Sequence, residues 1–310
     1  MKISFVTTVL NEAESIEALL YSLENQSQKP DEVIIIDGGS TDSTVAKIKS
    51  FHKKSRLEIK CLVKKSNRSR GRNLGIGQAT GEGIVVTDGG CTPYPDWLEK
   101  ISQPIRGKKA DVVAGWYEMR TDTIFTRCSA PFFGPMSHNL NKKTFLPASR
   151  SIAFTKKAWA KVGGYPESLD FAAEDIVFAQ NLKDNPGLKM VFRQSAVVEW
   201  TPAQNLQIFF HDIKNHTRGN IQAGYTRHLK KNALVAIRYA VGVSLLLAAI
   251  ISLNPSIVMS VIFLAVLYFI YPSIKFAPLV KHPIYVVYFG FLQLTADLAV
   301  ISALFEGGRH

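Results

Sequence analysis

Apolar positions divide this chain into two regimes: short Val/Ile-rich runs alternating with helical-period segments as far as Trp200, and long apolar stretches from Asn232 onward. In the first regime Lys2 to Val9, Glu32 to Asp37 (EVIIID), Leu57 to Val63 and Ile84 to Asp88 read as strands. Ile16, Leu19, Leu20 and Leu23 recur at helical spacing, with Asn11 and Glu14 as a capping-box-like start. Helices are also predicted from Thr44 to His52, after the turn GGSTDST, and from Arg70 to Ala79. Strand and helix alternate, so right-handed crossovers build one mostly parallel sheet, and the near-continuous apolar strands imply that both its faces are covered. Asp37 and Asp88 each end a strand. Ligands of open α/β sheets sit beyond the carboxyl ends of strands, which makes both acids site candidates. By itself Asp88 equally suits the cap of a short helix started by Pro95-Asp96-Trp97-Leu98.

After Ala110 the pattern loosens. ADVVAGWYEM is a strand, a loop rich in Phe, Pro and Gly runs to Leu146, and a strand (Ser149 to Phe154) and helix (Lys156 to Val162) follow. Past the GGYPES turn a helix from Ala172 to Lys183 carries Glu174 and Asp175 in its first turn. Acids there complement the helix dipole; following Gly163-Gly164 and preceding an apolar face, they are also aimed into a cleft. Leu188 to Arg193 and Ala196 to Trp200 are read as closing strands, and Leu206 to Ala223 as an amphipathic helix. Arg227, His228, Lys230 and Lys231 then lead into three apolar segments, about 232–253, 255–271 and 283–305, each near the length that crosses about 30 Å of hydrocarbon. Arg238 is expected to snorkel, and mid-span Gln293 and Asp297 to need partners where the spans pack. Lys275 and Lys281 lie between the second and third spans and no charge between the first and second, which puts the first regime in the cytoplasm by the positive-inside rule. The expected domains are 1–203, a juxtamembrane helix at 204–231, and a membrane region at 232–310.

Composition narrows the chemistry. The 310 residues carry a net charge of +12, so an anionic partner is expected, whether lipid headgroup, nucleic acid or nucleoside diphosphate. Lys64, Lys65, Arg68, Arg70 and Arg72 crowd into nine residues without interleaved aromatics and lead into a helix N-terminus, which suits a diphosphate better than a nucleic acid. Three scattered cysteines, Cys61, Cys91 and Cys128, suggest neither a zinc site nor a disulfide framework. The first residues turn acidic too soon for a cleavable signal peptide. No G-x-G-x-x-G follows the first strand, which disfavours a dinucleotide oxidoreductase.

The ordered segments TTVLNE, IIIDGGSTDST, SRGRNLG, VVTDGGCTPYPDWL, LPASRSIAF, KVGGYPE and AEDIVF resemble the family 2 glycosyltransferases of GT-A fold, from Met1 to about Gly224. The resemblance implies a membrane-anchored inverting transferase. Asp37 would contact the nucleotide base, with Thr8, Leu10 and Glu12 nearby; Arg70 and Asn73 would contact the nucleotide, and Arg218 loosely matches an arginine over the diphosphate. Asp88 matches the first acid of a DxD motif, at ribose and metal, which implies a divalent cation, Mg²⁺ or Mn²⁺. The motif departs at Gly90, where the second acid is missing; Thr92 or a histidine between 211 and 216 is a candidate replacement. Asp175, within the Glu174-Asp175 pair, would be the general base. The implied partners are a nucleotide-sugar donor, a lipid-linked or glycan acceptor and membrane lipid, with no nucleic acid. Two other readings stand beside it: a tethered nucleotide-sugar-binding protein without catalysis, suggested by Gly90, and a structural membrane protein with a Rossmann-like head.

Overall fold

The computed structural model describes residues 1–135, 140, 145–276 and 285–307. It divides into two compact units, the first made of Met1–Met119 and Met136–Thr201, the second of Arg120–Pro135 and Pro202–His310. In the first, β1 (Ile3–Val9), α1 (Ile16–Glu24), β2 (Glu32–Asp37), α2 (Thr44–His52), β3 (Ile59–Val63), α3 (Arg68–Gln78) and β4 (Gly83–Val86) follow the expected alternation. Their strands stand in the order β3-β2-β1-β4, every pair parallel. The remaining elements are β5 (Cys91–Pro93), α4 (Trp97–Arg106), β6 (Val112–Met119), β7 (Ile152–Thr155), α6 (Lys156–Lys161), α7 (Glu174–Asp184) and β8 (Met190–Trp200), with α5 (Ile124–Ser129) assigned to the second unit. Beyond β4 the sheet is mixed: β7 runs antiparallel to both β4 and β6, and β5 antiparallel to β8. The two expected closing strands are one strand, β8, paired parallel to β6 with an irregularity opposite Ala114 and Trp116.

Side-chain alternation splits the core across the sheet. Phe5, Val33 and Ile35 pack on one face with Leu19, Leu20, Leu23, Ile48 and Ile101; Val6, Ile34 and Ile36 pack on the other with Ile76, Phe154, Phe178 and Leu182. Helix α3 approaches closely because Gly75 faces the sheet: a Cβ there would stand 2.6 Å from Val6 Cγ1. This approach brings the polar face of α3 to the end of β4.

In the second unit, α5, α8 (Leu206–Gln222), α10 (Pro255–Phe276) and α11 (Tyr285–Gly307) share a core of Cys128, Phe209, Phe276, Phe289 and Leu292, and α9 (Thr226–Ser252) packs against α8, α10 and α11. Among the described residues, three helical segments are long and apolar enough to cross a membrane: Leu229–Ser252, Pro255–Phe276 and Val287–Glu306. The second runs five residues beyond its expected end, through Pro272. Lys281 and the start of the third expected span lie outside the described residues. Arg238 pairs with Asp297, which also accepts from Tyr268 Oη at 2.8 Å and Gln293 Nε2 at 2.9 Å, so one buried carboxylate ties α9, α10 and α11 together.

Candidate active site

The carboxyl ends of β1, β2 and β4 open on one edge. Val9 pairs with Asp37 across β1 and β2, and beyond Val9 the chain turns at Asn11, whose φ of 54° is left-handed. Asn11 does not cap α1. Its amide oxygen accepts from Thr41 N at 2.9 Å, its N–H donates to Ser40 Oγ at 2.8 Å, and the Glu12 N–H donates to Thr44 Oγ1 at 2.8 Å; α1 starts four residues later, at Ile16. Local side-chain bonding between two loops has won over the helix start, as short Asx side chains allow. Asp37 is fully buried; its Oδ1 accepts from Gly39 N at 3.0 Å and Ser40 N at 2.9 Å, while Oδ2 has no partner. A buried carboxylate oxygen left unbonded is costly and marks a place for a donor. Thr8 lies against α3, where a Cβ on Gly71 would reach its Cγ2 at 2.8 Å, and Leu10 stands 56% exposed on the turn.

Arg72 organises the centre of the site. It is 2% exposed; Nη2 donates to Asp88 Oδ1 and Nη1 to Glu174 Oε1, both at 2.7 Å, and the guanidinium lies 5.3 Å from the Tyr165 ring centroid. Asp88 does not cap α4, whose N-cap position Asp96 holds. Burial alone would raise the Asp88 carboxyl, but Arg72 foremost, then Arg150, hold it below its ordinary value. Arg150 stands just before β7, its guanidinium carbon 3.9 Å from the Trp200 ring centroid and 5.1 Å from that of Tyr117, with Nε unpartnered. Neither arginine stood out in the sequence. The missed signal for Arg72 is periodic: it shares the buried side of α3 with Gly71, Gly75 and Ile76, the side a helix turns to a sheet.

The Glu174-Asp175 pair sits at the start of α7, after Ala173 in a left-handed turn with φ of 71°. Strained non-glycine backbone of this kind concentrates at functional sites. Glu174 is 5% exposed and bound to Arg72 through its Oε1. Asp175 is the partner with a free aspect. Its Oδ1 accepts from Ile176 N at 2.8 Å, and its carboxyl is pushed up to about 6, first by burial and then by the Glu174 charge, against the pull of Arg72 and Arg150. Other expected contacts are placed elsewhere. Asn73 spends its whole amide inside the fold: Nδ2 donates to Tyr165 O (2.9 Å) and Glu167 Oε1 (3.0 Å), and Oδ1 accepts from Trp159 Nε1 (3.0 Å) and Tyr165 N (2.9 Å). These four bonds fix the 163–167 turn. Arg70 points outward, 3.9 Å from Glu167. Arg218 belongs to the second unit, where it pairs with Glu306 at 3.4 Å; in the same unit His211 contacts Asn215 on its own helix.

The profile of glycosyl transferase family 2 matches residues 4–161, a span that includes β1 to β7 and so the Asp37, Arg72 and Asp88 geometry. The chain belongs to this family. Among relatives, Glycosyltransferase AglE of Haloferax volcanii is 33% identical over 116 residues, covering 36% of this chain and 38% of that protein. Dodecaprenyl-phosphate galacturonate synthase of Rhizobium johnstonii is 24% identical over 132 residues, covering 41% of this chain and 39% of that protein. The matched region thus spans well under half the length of either relative. Mannosyltransferase PcManGT of Pyrobaculum calidifontis, solved with GDP-Man and Mn²⁺, superposes with a TM-score of 0.67 at 17% identity, over 98% of this chain and 87% of that one. The likeness shows a GT-A-type fold.

A family 2 chain of this fold raises the question of a divalent cation. Asp88 gives Oδ1 to Arg72 and keeps Oδ2 without a protein partner among the described residues. A Cβ built on Gly90 would meet nothing within 4 Å except the Glu12 carboxylate, with Oε2 at 3.7 Å and Oε1 at 4.0 Å. Burial first, and also the Asp88 charge, raise the Glu12 carboxyl above its ordinary value. Two hard oxygen donors thus border an open cradle, and the residues fit Mg²⁺ or Mn²⁺. No group of three or more His, Cys, Asp or Glu ligands occurs among the described residues, so diphosphate oxygens and water would complete such a sphere.

Proposed function

We propose that this chain is an inverting glycosyltransferase that moves a sugar from a nucleoside-diphosphate donor to a hydroxyl of a lipid-linked acceptor at the cytoplasmic membrane face. The observation carrying this reading is the Arg72 bridge, which fastens the donor-motif acid Asp88 and Glu174 to one guanidinium, with the raised carboxyl of Asp175 beside them. A carboxyl near 6 is ionised at neutral pH yet basic enough to take a proton, which is what a general base requires. Asp175 accepts the acceptor hydroxyl proton as the new C–O bond forms at the anomeric carbon. The bond to the diphosphate breaks on the opposite face, and the nucleoside diphosphate leaves with the electron pair, through an oxocarbenium-like state. Glu174, bound to Arg72, orients the start of α7 and contributes to the field that raises Asp175.

Arg150 and Arg72 place fixed positive charge beside Asp88, where a preorganised site favours an anionic leaving group. A divalent cation held at Asp88 would, when bound, neutralise charge developing on the diphosphate. Asp37 Oδ2 is the acceptor available to an N–H of the base. The lipid-linked acceptor is supported by the three apolar helices and by a relative named for a dodecaprenyl-phosphate product. The test is direct: purified full-length protein is incubated with a panel of UDP- and GDP-sugars and a membrane lipid extract, and the product linkage is read by NMR. Transfer to a lipid with inverted anomeric configuration is expected. Retention of configuration, or transfer only to soluble acceptors, would refute the corresponding half of the proposal.

A further inference from the structure

We infer that Glu12, carried on the β1–α1 turn, supplies the second metal-facing carboxylate that the 88–90 motif lacks at Gly90. The inference rests on the donor-site reading above and concerns a division of labour between two loops. An aspartate carboxylate begins one bond beyond its Cβ, so oxygens 3.7 and 4.0 Å from the Gly90 Cβ position lie beside the volume that the missing acid would fill. Among the described residues other than its chain neighbours, nothing else lies within 4 Å of that position. The neighbouring glycine makes the approach possible: a Cβ on Gly89 would stand 2.9 Å from Val9 Cγ1 and 3.2 Å from Glu12 Cγ. Gly89 leaves room for the Glu12 stem, while a Cβ on Gly90 would stand in ordinary contact with its carboxylate.

Glu12 is also held in place. Its N–H donates to Thr44 Oγ1 at 2.8 Å, its carbonyl accepts from Ser15 N at 3.1 Å and Ile16 N at 2.9 Å, and Oε2 accepts from Ser15 Oγ, which leaves Oε1 without a partner among the described residues. A carboxylate fixed through one oxygen and open through the other is pre-oriented as a ligand in the way that supported metal ligands are. The unusual TDGG motif is then compensated by an acid from the first turn of the chain.

The test uses full-length protein in detergent, with Mn²⁺ binding followed by the loss of its free EPR signal in the presence of whichever of UDP or GDP binds the wild type. Glu12→Gln is expected to weaken Mn²⁺ binding by roughly tenfold or more, the lower range seen when groups supporting a metal site are lost, while nucleotide binding in chelator stays within about twofold of wild type. Gly90→Asp in the Glu12→Gln background is expected to restore most of the Mn²⁺ affinity, and Gly90→Asp alone to tighten it; this last variant keeps the test open should Glu12→Gln fold poorly. Unchanged Mn²⁺ affinity in Glu12→Gln overturns the inference. So does loss of nucleotide binding in chelator, which would make Glu12 a structural or nucleotide-contacting residue. If the wild type binds neither diphosphate, the donor-site reading itself fails, and that outcome is distinct from both.

Discussion

Replacing Arg72 by Met removes one guanidinium and leaves two carboxylates facing each other. Glu174 is 7% exposed at its side chain and Asp88 34%, so water can recover part of the Asp88 solvation and little of that of Glu174. Breaking a buried pair by removing one partner costs about 3–5 kcal/mol. Because half of this bridge is a third exposed, the expected cost lies at the lower end, about 3 kcal/mol. In a folding unit of this size that corresponds to a fall in Tm of about 6–12 °C, measured by intrinsic tryptophan fluorescence of the detergent-solubilised protein. Adding Glu174→Met should recover most of the loss, since an apolar pair of similar volume is often as stable as a buried ion pair. The same single variant removes the leading cation that holds Asp88 down and one that opposes the rise of Asp175, so both carboxyls should move upward. A Tm within about 2 °C of wild type, or a double variant no more stable than the single one, would show that Arg72 does not carry the bridge.

Three further outcomes follow from the geometry. Because Asp175 must be ionised to accept a proton and sits at about 6, kcat/KM should fall tenfold per pH unit below that value and be flat above it until another group titrates; a profile flat down to pH 5 would contradict the assignment. Asn73→Ala orphans the Trp159 and Tyr165 N–H groups and should cost about 2–4 kcal/mol in unfolding experiments while the nucleoside diphosphate Kd stays within about threefold; a large Kd change at unaltered stability would return Asn73 to the nucleotide. In the second unit, Asp297→Asn leaves Arg238 without its counter-charge, and the detergent-solubilised protein should lose thermal stability that Arg238→Met in the same chain partly restores.

The parallel half of the sheet could be read directly from the chain. Buried Val/Ile runs separated by amphipathic helices and tight turns have one economical arrangement, and β1 to β4 adopt it. The antiparallel half could not, because β5 and β7 are three- and four-residue strands whose pairing is decided by contacts distant in sequence. At the site, Asp37, Asp88 and Asp175 were legible because each ends a strand or begins a helix, where position alone suggests a role. Arg72 was legible only as one of five basic residues suiting a diphosphate and Arg150 not at all, since only tertiary packing buries each of them beside Asp88. Asn73 shows the converse: a polar residue in a matching motif whose hydrogen-bonding capacity the fold has already filled.

The most direct test of the account is Asp175→Asn, which removes the proposed base while preserving shape and hydrogen bonding. Transfer turnover and nucleoside diphosphate binding are measured on the same preparation. If Asp175 is the base, kcat falls by about 10²–10⁴ with the diphosphate Kd within about twofold of wild type. Turnover retained within about tenfold of wild type would contradict the placement of the base at Asp175.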